Sequence, residues 1–404
     1  MICYVAYPNS LQLRSANAVQ THATVRELKK IAPDTLVLIP RIESGPSAFT
    51  SVGATHLPRI PIGRLSRLYR TTLLYYAERS AYALMVASYL SLLKLVGKRY
   101  EVVYVREVIT ALWLSLLLPK LTGARVIYEV HDLEAHNPSR AKESWAQPLL
   151  GLVDRLVLSK PAALTSLTAV FRDLLARDGI RAERDVAVLP DAYDGERYYP
   201  RDRGMARREL GIAQETRLVV YAGLTFAYRG VDLLLDAIAQ ARSQVPNLRV
   251  ALVGGRPQEI NDLQAQATRL GLGNQVIFAG QQPQSRIPLY LAAGDILAVP
   301  DTVTDITASP LKLFEYMAMG RAIICPDLPA LREITHGDGA LHIPRRDRDA
   351  MAQAIVQLFS DQQLRSTLGA QALARVAPYT YAHRAERLVM VADAVARGES
   401  IRDL

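Results

Sequence analysis

The feature of this chain that most constrains its fold is the alternation of short apolar runs with longer segments whose apolar residues recur at helical spacing. In the first half, Ala16–Ile31 is the first helical segment, and the apolar runs are Ile2–Tyr7, Thr35–Pro40, Val102–Arg106, Arg125–Val130 and Ala163–Ser166. Strands that are apolar throughout and alternate with helices are typical of a parallel sheet with helices on both faces. The pattern therefore predicts a doubly wound α/β domain.

The second half repeats this pattern. Its predicted strands are Leu218–Gly223, Arg249–Gly254, Gln275–Ala279, Ile296–Pro300 and Ala322–Pro326, and its predicted helices are Val231–Ala241, Ile260–Leu270, Pro310–Ala318 and Ala350–Phe359. A segment rich in Asp, Gly and Pro, residues 188–199, separates the halves. For this chain of 404 residues we predict an α/β protein of two doubly wound Rossmann-like domains, residues 1–188 and 189–380, facing across a cleft.

The net charge of +9 is carried by the first half of the chain. Residues 1–185 hold 24 Lys and Arg against 15 Asp and Glu, whereas residues 186–404 hold 24 of each. The segment Arg59–Arg99 contains eight basic residues and one acid, Glu78, among tyrosines and long apolar stretches. A basic surface of this kind binds an anionic bilayer, a nucleic acid or a phosphorylated substrate. The alternative is that residues 81–96 form a buried helix and the arginines are ordinary surface residues.

Several classes of protein are disfavoured by what the sequence lacks. Two cysteines, Cys3 and Cys325, cannot form a disulfide framework or a cysteine-based zinc site, which indicates a reducing compartment, the cytoplasm. The N-terminus lacks the pattern of a signal peptide, and the longest apolar runs, Ala81–Leu93 and Ile109–Leu118, are shorter than the roughly 18 residues of a membrane span. P-loop, nucleophile-elbow, HExxH, acidic metal-binding and nucleic-acid motifs are all missing, so we expect no metal and no nucleic acid.

The segment Ser309–Gly320 follows a predicted strand and offers a helix start for ligand binding. Ser309 suits the N-cap and Pro310 the first helical position, which leaves backbone N–H groups and the positive dipole end for a diphosphate. Lys312 and Glu315 share one face of this helix, where the carboxylate can accept two hydrogen bonds from a ribose diol. The alternative is a capped amphipathic helix with a solvated Lys–Glu pair.

A second candidate site follows the strand that ends at Gly223. Glycine lets the backbone approach a ligand, and Arg229, just before Gly230, can clamp phosphate oxygens. The alternative is a turn glycine with an exposed arginine.

A third candidate is His131, which follows the strand Arg125–Val130. A neutral imidazole there can hydrogen-bond a substrate hydroxyl or transfer a proton. The alternative is a structural histidine paired with Glu129 or Asp132.

Together, these segments resemble the retaining group 1 (family 4-like) glycosyltransferases of the GT-B fold over most of the chain. SPLKLFEYMAMGRAIICPDLPALREI resembles the family's donor-binding signature, VLPDAYDGERYYP its interdomain segment, and APYTYAHRAERL its closing helix. The resemblance implies that the C-terminal helix, residues 381–404, returns to the N-terminal domain. It also implies retaining transfer of a sugar from a nucleotide-diphosphate-sugar to a glycan or lipid-linked acceptor, in cell-envelope polysaccharide or glycolipid synthesis.

The resemblance also implies roles for individual residues. Glu315 matches the glutamate that binds the nucleotide ribose, Arg229 the basic residue that binds the diphosphate, and His131 the histidine near the reacting sugar. The other implied donor-binding or catalytic positions are Gly223, Thr307, Ser309, Pro310, Leu311 and Lys312. Arg14 and Asn17 lie in the usual acceptor loop after the first strand.

The chain departs from the family's pattern at three places. Thr307 stands where the family has a first glutamate, Leu224 where it has an arginine, and Asp191-Ala192 where it has Asn-Gly. The implied front-face mechanism needs no protein nucleophile, metal or cofactor beyond the nucleotide-sugar co-substrate, because Arg229 and Lys312 stabilise the charge on the leaving phosphate. The departures make the identity of the donor sugar the open question.

Two other functions are consistent with the same observations. A nucleotide-sugar 2-epimerase has the same fold, and it would change the donor without an acceptor. A non-catalytic basic protein with a degenerate donor site would bind a membrane or a nucleic acid. For the transferase, the basic segment Arg59–Arg99 predicts a cytoplasmic protein that is peripheral on the inner face of the plasma membrane.

Overall fold

The computed structural model describes residues 1–42, 45–60, 72–131, 133–136, 147–302 and 309–404. The chain divides into two compact units. The first consists of Met1–Pro190 with Tyr381–Leu404, and the second of Asp191–Thr380. Each unit has its own parallel sheet and its own cores.

The first unit is built on a parallel sheet. Its strands are β1 (Ile2–Val5), β2 (Leu36–Pro40), β3 (Thr55–Leu57), β4 (Val102–Val105), β5 (Arg125–Val130), β6 (Ala163–Ser166) and β7 (Val186–Val188). Their order in the sheet is β3-β2-β1-β4-β5-β6-β7, and all neighbouring strands are parallel. The central strands are buried along their length because helices cover both faces.

Among the described residues before Pro190, five α-helices cover this sheet. They are α1 (Ala16–Ile31), α2 (Thr72–Leu95), α3 (Val108–Leu121), α4 (Gln147–Ser159) and α5 (Ala169–Arg177). Helix α1 begins where the Ser15 side chain accepts a hydrogen bond from Ala18 N, and it contributes Leu28 to the core on one face. Helices α2 and α3 contribute Val86 and Leu114 to the core on the other face.

The second unit repeats this architecture. Its strands are β8 (Arg217–Ala222), β9 (Leu248–Val253), β10 (Val276–Gly280), β11 (Ile296–Ala298), β12 (Ala322–Pro326) and β13 (Leu341–Ile343), in the parallel order β10-β9-β8-β11-β12-β13. Its helices are α6 (Arg203–Leu210), α7 (Val231–Ala241), α8 (Pro257–Arg269), α9 (Ile287–Ala293), α10 (Leu311–Ala318), α11 (Pro329–Thr335), α12 (Arg348–Ser360) and α13 (Gln362–Val376). Two hydrophobic clusters, one on each face, hold the sheet between these helices.

The last helix of the chain, α14 (Tyr381–Arg397), belongs to the first unit. It contributes Leu388 and Val391 to the core that also contains residues of α1. The Arg125 guanidinium at the start of β5 donates a hydrogen bond to the carbonyl of Val395 at 2.5 Å. The first unit is therefore completed by residues from the two ends of the chain.

In both sheets, the connections change direction beside the first strand of the unit, between β1 and β4 and between β8 and β11. The carboxyl ends of parallel strands at such a point are where open α/β sheets bind ligands. Gly223 directly follows β8, and Asp301 lies three residues beyond β11. The sheet topology thus places the candidate donor residues at the ligand-binding edge of the second unit.

The prediction of two doubly wound α/β domains is confirmed, and the predicted strands and helices agree with the observed ones to within about three residues. The short strands β3, β7 and β13 were not predicted. The helix expected over residues 381–404 ends at Arg397, because Gly398 follows with a positive φ of 79°. Within the described residues, no helix combines the length and the apolar character that crossing a bilayer requires.

Candidate functional site

Helix α10 begins at Leu311, one residue later than the sequence predicts. Pro310 occupies the N-cap position with an extended backbone, and no side chain caps the helix. The prediction of Ser309 as N-cap is therefore wrong. The Ser309 hydroxyl is buried and has no hydrogen-bond partner among the described residues. The start of α10 thus keeps donors that a ligand can satisfy.

The side chain of Lys312 lies over the end of β8. Its Nζ is 3.9 Å from the centre of the Tyr221 ring, which is a cation–π contact. A Cβ atom on Gly223 would lie 2.7 Å from Lys312 Nζ, and Gly223 has a φ of +145° that side chains rarely allow. Glycine at this position therefore lets the lysine approach the strand end.

Arg229 is a second cation beside Lys312. It ends a short 3-10 helix, Ala227–Arg229, and its guanidinium carbon is 5.3 Å from the centre of the Tyr228 ring. Burial and the charge of Arg229 hold the pKa of Lys312 well below its usual range. Neither cation has a carboxylate within 4 Å in the part of the chain that the structure describes. An anion bound between Lys312 and Arg229 would favour the protonated lysine and neutralise both charges, so the two basic groups form a site for an anion.

Glu315 is half-buried one turn further along α10. Burial raises the pKa of its carboxyl to about 7, against a hydrogen bond from Tyr198 and the charges of Lys312 and Arg197, which lower it. Near neutral pH this carboxyl is therefore available in its ionised form, which accepts hydrogen bonds, and in its protonated form, which also donates one.

Two glycines after β9 let the loop there pack closely against the loop after β8. A Cβ atom on Gly254 would lie 2.3 Å from the carbonyl oxygen of Gly223, and one on Gly255 would lie 2.6 Å from the hydroxyl of Thr225. The Thr225 hydroxyl donates a hydrogen bond to Glu259 at 2.8 Å. The loops after β8 and β9 therefore pack backbone against backbone, which only glycine permits.

A buried carboxylate, Asp301, organises the end of β11. It is 2.6 Å from Nε of Arg345 and 3.0 Å from Nε of Arg346, and its Cβ would be 3.1 Å from a Cβ placed on Gly230. Arg345 also donates to the carbonyl of Thr302 at 2.9 Å. Asp301 thus ties the end of β11 to the loop after β13 and packs against the turn at Gly230, next to Arg229.

Thr307, one of the implied donor-binding positions, lies outside the described residues. Pro310 and Leu311 are partly buried at the start of α10, and Leu224 is exposed beside Gly223.

In the first unit, His131 is held by a buried carboxylate, Glu129. His131 Nε2 is 2.7 Å from Glu129 Oε1 and 2.9 Å from a guanidinium nitrogen of Arg106, while about a quarter (24%) of the His131 side chain is exposed. Burial disfavours the ionised form of Glu129, but the charges of Arg106 and Arg384 outweigh it and hold its pKa well below the usual range. The histidine is paired with Glu129, as one of the two alternative readings expects, and it still presents an edge to solvent.

Helix α14 contributes to the same network through Arg384. Its guanidinium is 2.8 Å from Glu129 Oε2 and donates to the carbonyl of Leu189 at 2.6 Å. The buried hydroxyl of Tyr104 also contacts Glu129. One carboxylate therefore joins β4, β5 and α14 behind His131.

The two predicted acceptor residues differ in their surroundings. Arg14 is exposed, and its backbone N donates to the hydroxyl of Ser10 at 3.4 Å. The Asn17 side-chain oxygen is buried and has no hydrogen-bond partner among the described residues. Gln20, one turn further along α1, contacts Arg106 through its side-chain oxygen, while its side-chain nitrogen likewise has no described partner.

The basic segment Arg59–Arg99 is only partly a free cationic surface. Arg59 Nε is 2.7 Å from Glu78, and the buried Arg79 stacks 3.3 Å from the centre of the Tyr7 ring. Its second half is different, since Lys98 and Arg99 are exposed. Arg64, Arg67 and Arg70 lie outside the described residues.

The end of α2 carries both charge and exposed apolar side chains. Leu92, Leu95 and Val96 are 61%, 82% and 72% exposed. Lys94, Lys98 and Arg99 line one small recess beside them. Residues 81–95 therefore lie in a helix with a buried face, as expected if this segment is a buried helix, but the exposed apolar residues at the end of α2 are not explained by that interpretation.

The structure thus brings Gly223, Arg229, Lys312 and Glu315 into one group in the second unit, and it places His131 in a separate network in the first. Sequence reasoning missed Arg106, Arg384 and Asp301. A charged residue at the end of an apolar strand, as at Arg106 and Asp301, is the signal that could have found two of them. Among the residues described, no group of three or more His, Cys, Asp or Glu side chains could hold a metal ion.

Comparison with known families decides the identity of both units. The family model described as "Glycosyl transferases group 1" matches residues 216–361, and the "Glycosyl transferase 4-like domain" matches residues 18–192. The chain belongs to the group 1, family 4-like glycosyltransferases. The resemblance noted from the sequence is therefore confirmed.

Curated relatives in this family are moderately similar. A D-inositol 3-phosphate glycosyltransferase of Nocardia farcinica is 29% identical over 296 residues, which cover 69% of this chain and 64% of the relative. A 2-deoxystreptamine glucosyltransferase of Streptomyces kanamyceticus is 27% identical over 209 residues, which cover 50% of this chain and 54% of the relative. The chain thus matches less than two thirds of the length of either relative.

Solved structures share the fold over the whole chain. Sucrose-phosphate synthase from Thermosynechococcus elongatus superposes with a TM-score of 0.80 at 17% identity, covering 98% of this chain and 100% of that one. HepE from Anabaena, in complex with UDP, superposes with a TM-score of 0.73 at 19% identity, covering 98% and 100%. The GT-B fold class predicted for this glycosyltransferase is therefore confirmed.

Proposed function

We propose that this glycosyltransferase transfers a sugar, with retention, from a nucleotide-diphosphate-sugar to a glycan or lipid-linked acceptor. The observation that carries the proposal is the pair of cations, Lys312 and Arg229, at the end of β8 without a described counter-ion. A diphosphate supplies the negative charge that this pair lacks. The UDP complex of the structural neighbour HepE supports this choice of ligand.

The residues of the second unit divide the work on the donor. Lys312, Arg229 and the N–H groups at the start of α10 stabilise the charge that grows on the leaving diphosphate as the anomeric bond breaks. The Glu315 carboxylate accepts hydrogen bonds from the ribose hydroxyls. The free hydroxyl of Ser309 hydrogen-bonds the donor next to Pro310 and Leu311. Thr307 is a donor contact only by family resemblance.

The acceptor is deprotonated by the leaving phosphate on the same face, so no protein nucleophile is needed. This step gives retention of the anomeric configuration, without a metal or cofactor. His131 hydrogen-bonds the transferred sugar from the first unit, with its imidazole held by Glu129. The buried side-chain oxygen of Asn17 accepts a hydrogen bond from the incoming acceptor substrate, and the exposed Arg14 offers that substrate a positive charge.

Calorimetric titration with UDP and with GDP tests the donor site. The wild type is compared with Arg229→Ala and Glu315→Ala, and with Arg269→Ala as a matched control on the exposed surface of α8. Loss of a charge-assisted contact weakens nucleotide binding by about tenfold or more in the first two variants. The control keeps wild-type affinity. Wild-type protein that binds neither nucleotide contradicts the proposal.

Product analysis tests the reaction. With a nucleotide-sugar and an acceptor, proton NMR of the product reads the anomeric configuration, and an inverted product contradicts retention. With the donor alone, formation of its 2-epimer identifies the epimerase instead. Activity that persists in EDTA supports metal independence, and activity that is lost in EDTA and restored by a divalent cation contradicts it.

We also propose that the first unit associates with an anionic membrane on the cytoplasmic face, through the end of α2. The exposed Leu92, Leu95 and Val96 enter the interface while Lys98 and Arg99 pair with headgroup phosphates. Co-sedimentation with phosphatidylglycerol vesicles tests this. Binding falls in Leu95→Ser and in vesicles of phosphatidylcholine alone, whereas equal binding to both lipids contradicts the proposal.

A further inference from the structure

A cavity of about 370 Å³ lies in the first unit beside β2 and β3. It is lined by Leu11, Arg41, Gly45, Pro46, Ser47, Thr50 and His56. His56 is on β3, and His131 follows β5, four strand positions away in the sheet order. At about 4.8 Å per strand, the two histidines are separated by roughly 19 Å. The cavity is therefore distinct from the site around His131.

The register of the edge strands explains how Arg41 and His56 meet. Ile39 pairs with His56 across β2 and β3, and the N–H of Arg41 donates to the carbonyl of Leu57 at 2.9 Å, which extends the ladder by one residue. Since side chains alternate between the faces of a sheet, Arg41 lies on the same face as Ile39 and His56. The guanidinium and the imidazole are thus directed to one side by the strands themselves.

The polar groups of the cavity favour an anion. Arg41 is exposed and has no carboxylate within 4 Å among the described residues. Burial and the charge of Arg41 lower the pKa of His56, although a hydrogen bond to the backbone of Ala54 raises it, so the imidazole is neutral near pH 7. His56 Nε2 is 2.9 Å from the hydroxyl of Ser47. The cavity therefore offers one fixed positive charge together with hydroxyl and imidazole groups.

The size and shape of the cavity favour more than a bare anion. A volume of about 370 Å³ is in the range of small-molecule sites rather than of single-ion sites. Leu11, which is 1% exposed, is an apolar residue of the lining, and Ser47 and Thr50 are its hydroxyl-bearing residues. An apolar side chain together with hydroxyl groups suits the ring of a sugar or polyol, and guanidinium groups bind phosphate through two parallel hydrogen bonds.

We propose that this cavity binds a phosphorylated sugar or polyol, with its phosphate on Arg41 and its ring hydroxyls on Ser47, Thr50 and His56. The ligand is the phosphorylated end of an acceptor that extends from this cavity toward His131, and in this respect the proposal rests on the proposed function. Among the relatives, one named as acting on D-inositol 3-phosphate is compatible with such a ligand.

Calorimetric titration with inositol 1-phosphate is the test, with inositol and inorganic phosphate as separate arms. Arg41→Gln weakens binding of inositol 1-phosphate at least tenfold, and Ser47→Ala weakens it less. The control Arg177→Gln, at another exposed arginine at the end of α5, keeps wild-type affinity. Equal affinity of wild type and Arg41→Gln overturns the proposal. Inorganic phosphate that binds as tightly as inositol 1-phosphate overturns the assignment of the ring.

Two further experiments are needed. One distinguishes a lipid headgroup from a free phosphorylated ligand, and the other distinguishes the cavity proposal from the donor-site proposal. Vesicles containing phosphatidylinositol test whether the phosphate ester belongs to a lipid headgroup, and a loss of vesicle binding in Arg41→Gln assigns it there. UDP binds all these variants equally, because Arg41 is not in the donor site. Wild-type protein that binds UDP but not inositol 1-phosphate overturns the cavity proposal alone, whereas the opposite result overturns the proposed donor site alone.

Discussion

Glu315 makes the second unit less stable at neutral pH than it would be with an uncharged side chain. In the folded protein, burial raises the pKa of this carboxyl from its ordinary 4.5 to about 7. Each tenfold change in proton affinity is worth about 1.4 kcal/mol, so an ionised Glu315 costs the folded state about 3 kcal/mol above pH 7. Below pH 4.5 the carboxyl is protonated in both the folded and the unfolded chain, and the cost vanishes.

Glu315→Gln keeps the shape of the protonated carboxyl and removes this cost. The variant is therefore more stable than the wild type by up to about 3 kcal/mol at pH 8 and by less than about 1 kcal/mol at pH 5. For a unit of this size, about 2–4 °C per kcal/mol gives a rise of roughly 6–12 °C in Tm at pH 8.

Scanning calorimetry of both proteins from pH 5 to pH 8 measures the effect. The matched control is Glu215→Gln, which removes an exposed carboxyl of the same unit and leaves the pH dependence unchanged. Glu315→Gln also weakens UDP binding, since the glutamine amide accepts fewer hydrogen bonds from the ribose diol than the carboxylate does. A Glu315→Gln variant that is stabilised equally at pH 5 and pH 8, or not at all, refutes the reasoning.

Three other substitutions test the networks around the two sites. Glu129→Gln leaves two buried arginines without their carboxylate and lowers the free energy of unfolding by about 3–5 kcal/mol, measured by urea unfolding. Gly223→Ala places a methyl group 2.7 Å from the present position of Lys312 Nζ, and weakens UDP binding by about tenfold in calorimetry. Asp301→Ala removes a buried carboxylate that two arginines after β13 contact, and it costs about 1–3 kcal/mol in the same unfolding experiment.

Matched controls separate these effects from general damage. Glu101→Gln removes an exposed carboxylate beside β4, and Asp349→Ala removes one at the start of α12, so both variants unfold like the wild type. Gly97→Ala shares the positive φ of Gly223 but meets no atom within 4 Å, so it leaves UDP binding unchanged. If Glu129→Gln or Asp301→Ala unfolds at the same urea concentration as the wild type, the corresponding network does not stabilise the fold.

The sequence predicted the long elements well because each has a strong local signal. Helices α1 and α7 have helical apolar spacing over their whole length, and β5 and β12 are nearly continuous apolar runs. The strands β3, β7 and β13 have three residues each, too few to show a period. They are strands because an existing sheet edge pairs with them, which is a tertiary effect.

The grouping of Lys312 with Glu315 was predictable for a similar reason, since both lie in one helix turn. The contact of Lys312 with Gly223 joins residues far apart in the chain, and spacing alone does not predict it. The same holds for Arg384, which reaches Glu129 from the last helix. The sequence shows one member of such a buried ion pair as a charged residue in an apolar run, but it does not show which residue is the partner.

The contribution of α14 to the first unit has a consequence for biosynthesis. On the ribosome, Glu129 emerges long before Arg384, and at about 5–20 residues per second the interval is on the order of ten seconds or more. In that time the whole of Asp191–Thr380 is translated, so the second unit can reach its native state while the first still lacks its closing helix. The N-terminal half of the nascent chain is then the part that exposes unfinished apolar surface, and it is where chaperones are needed.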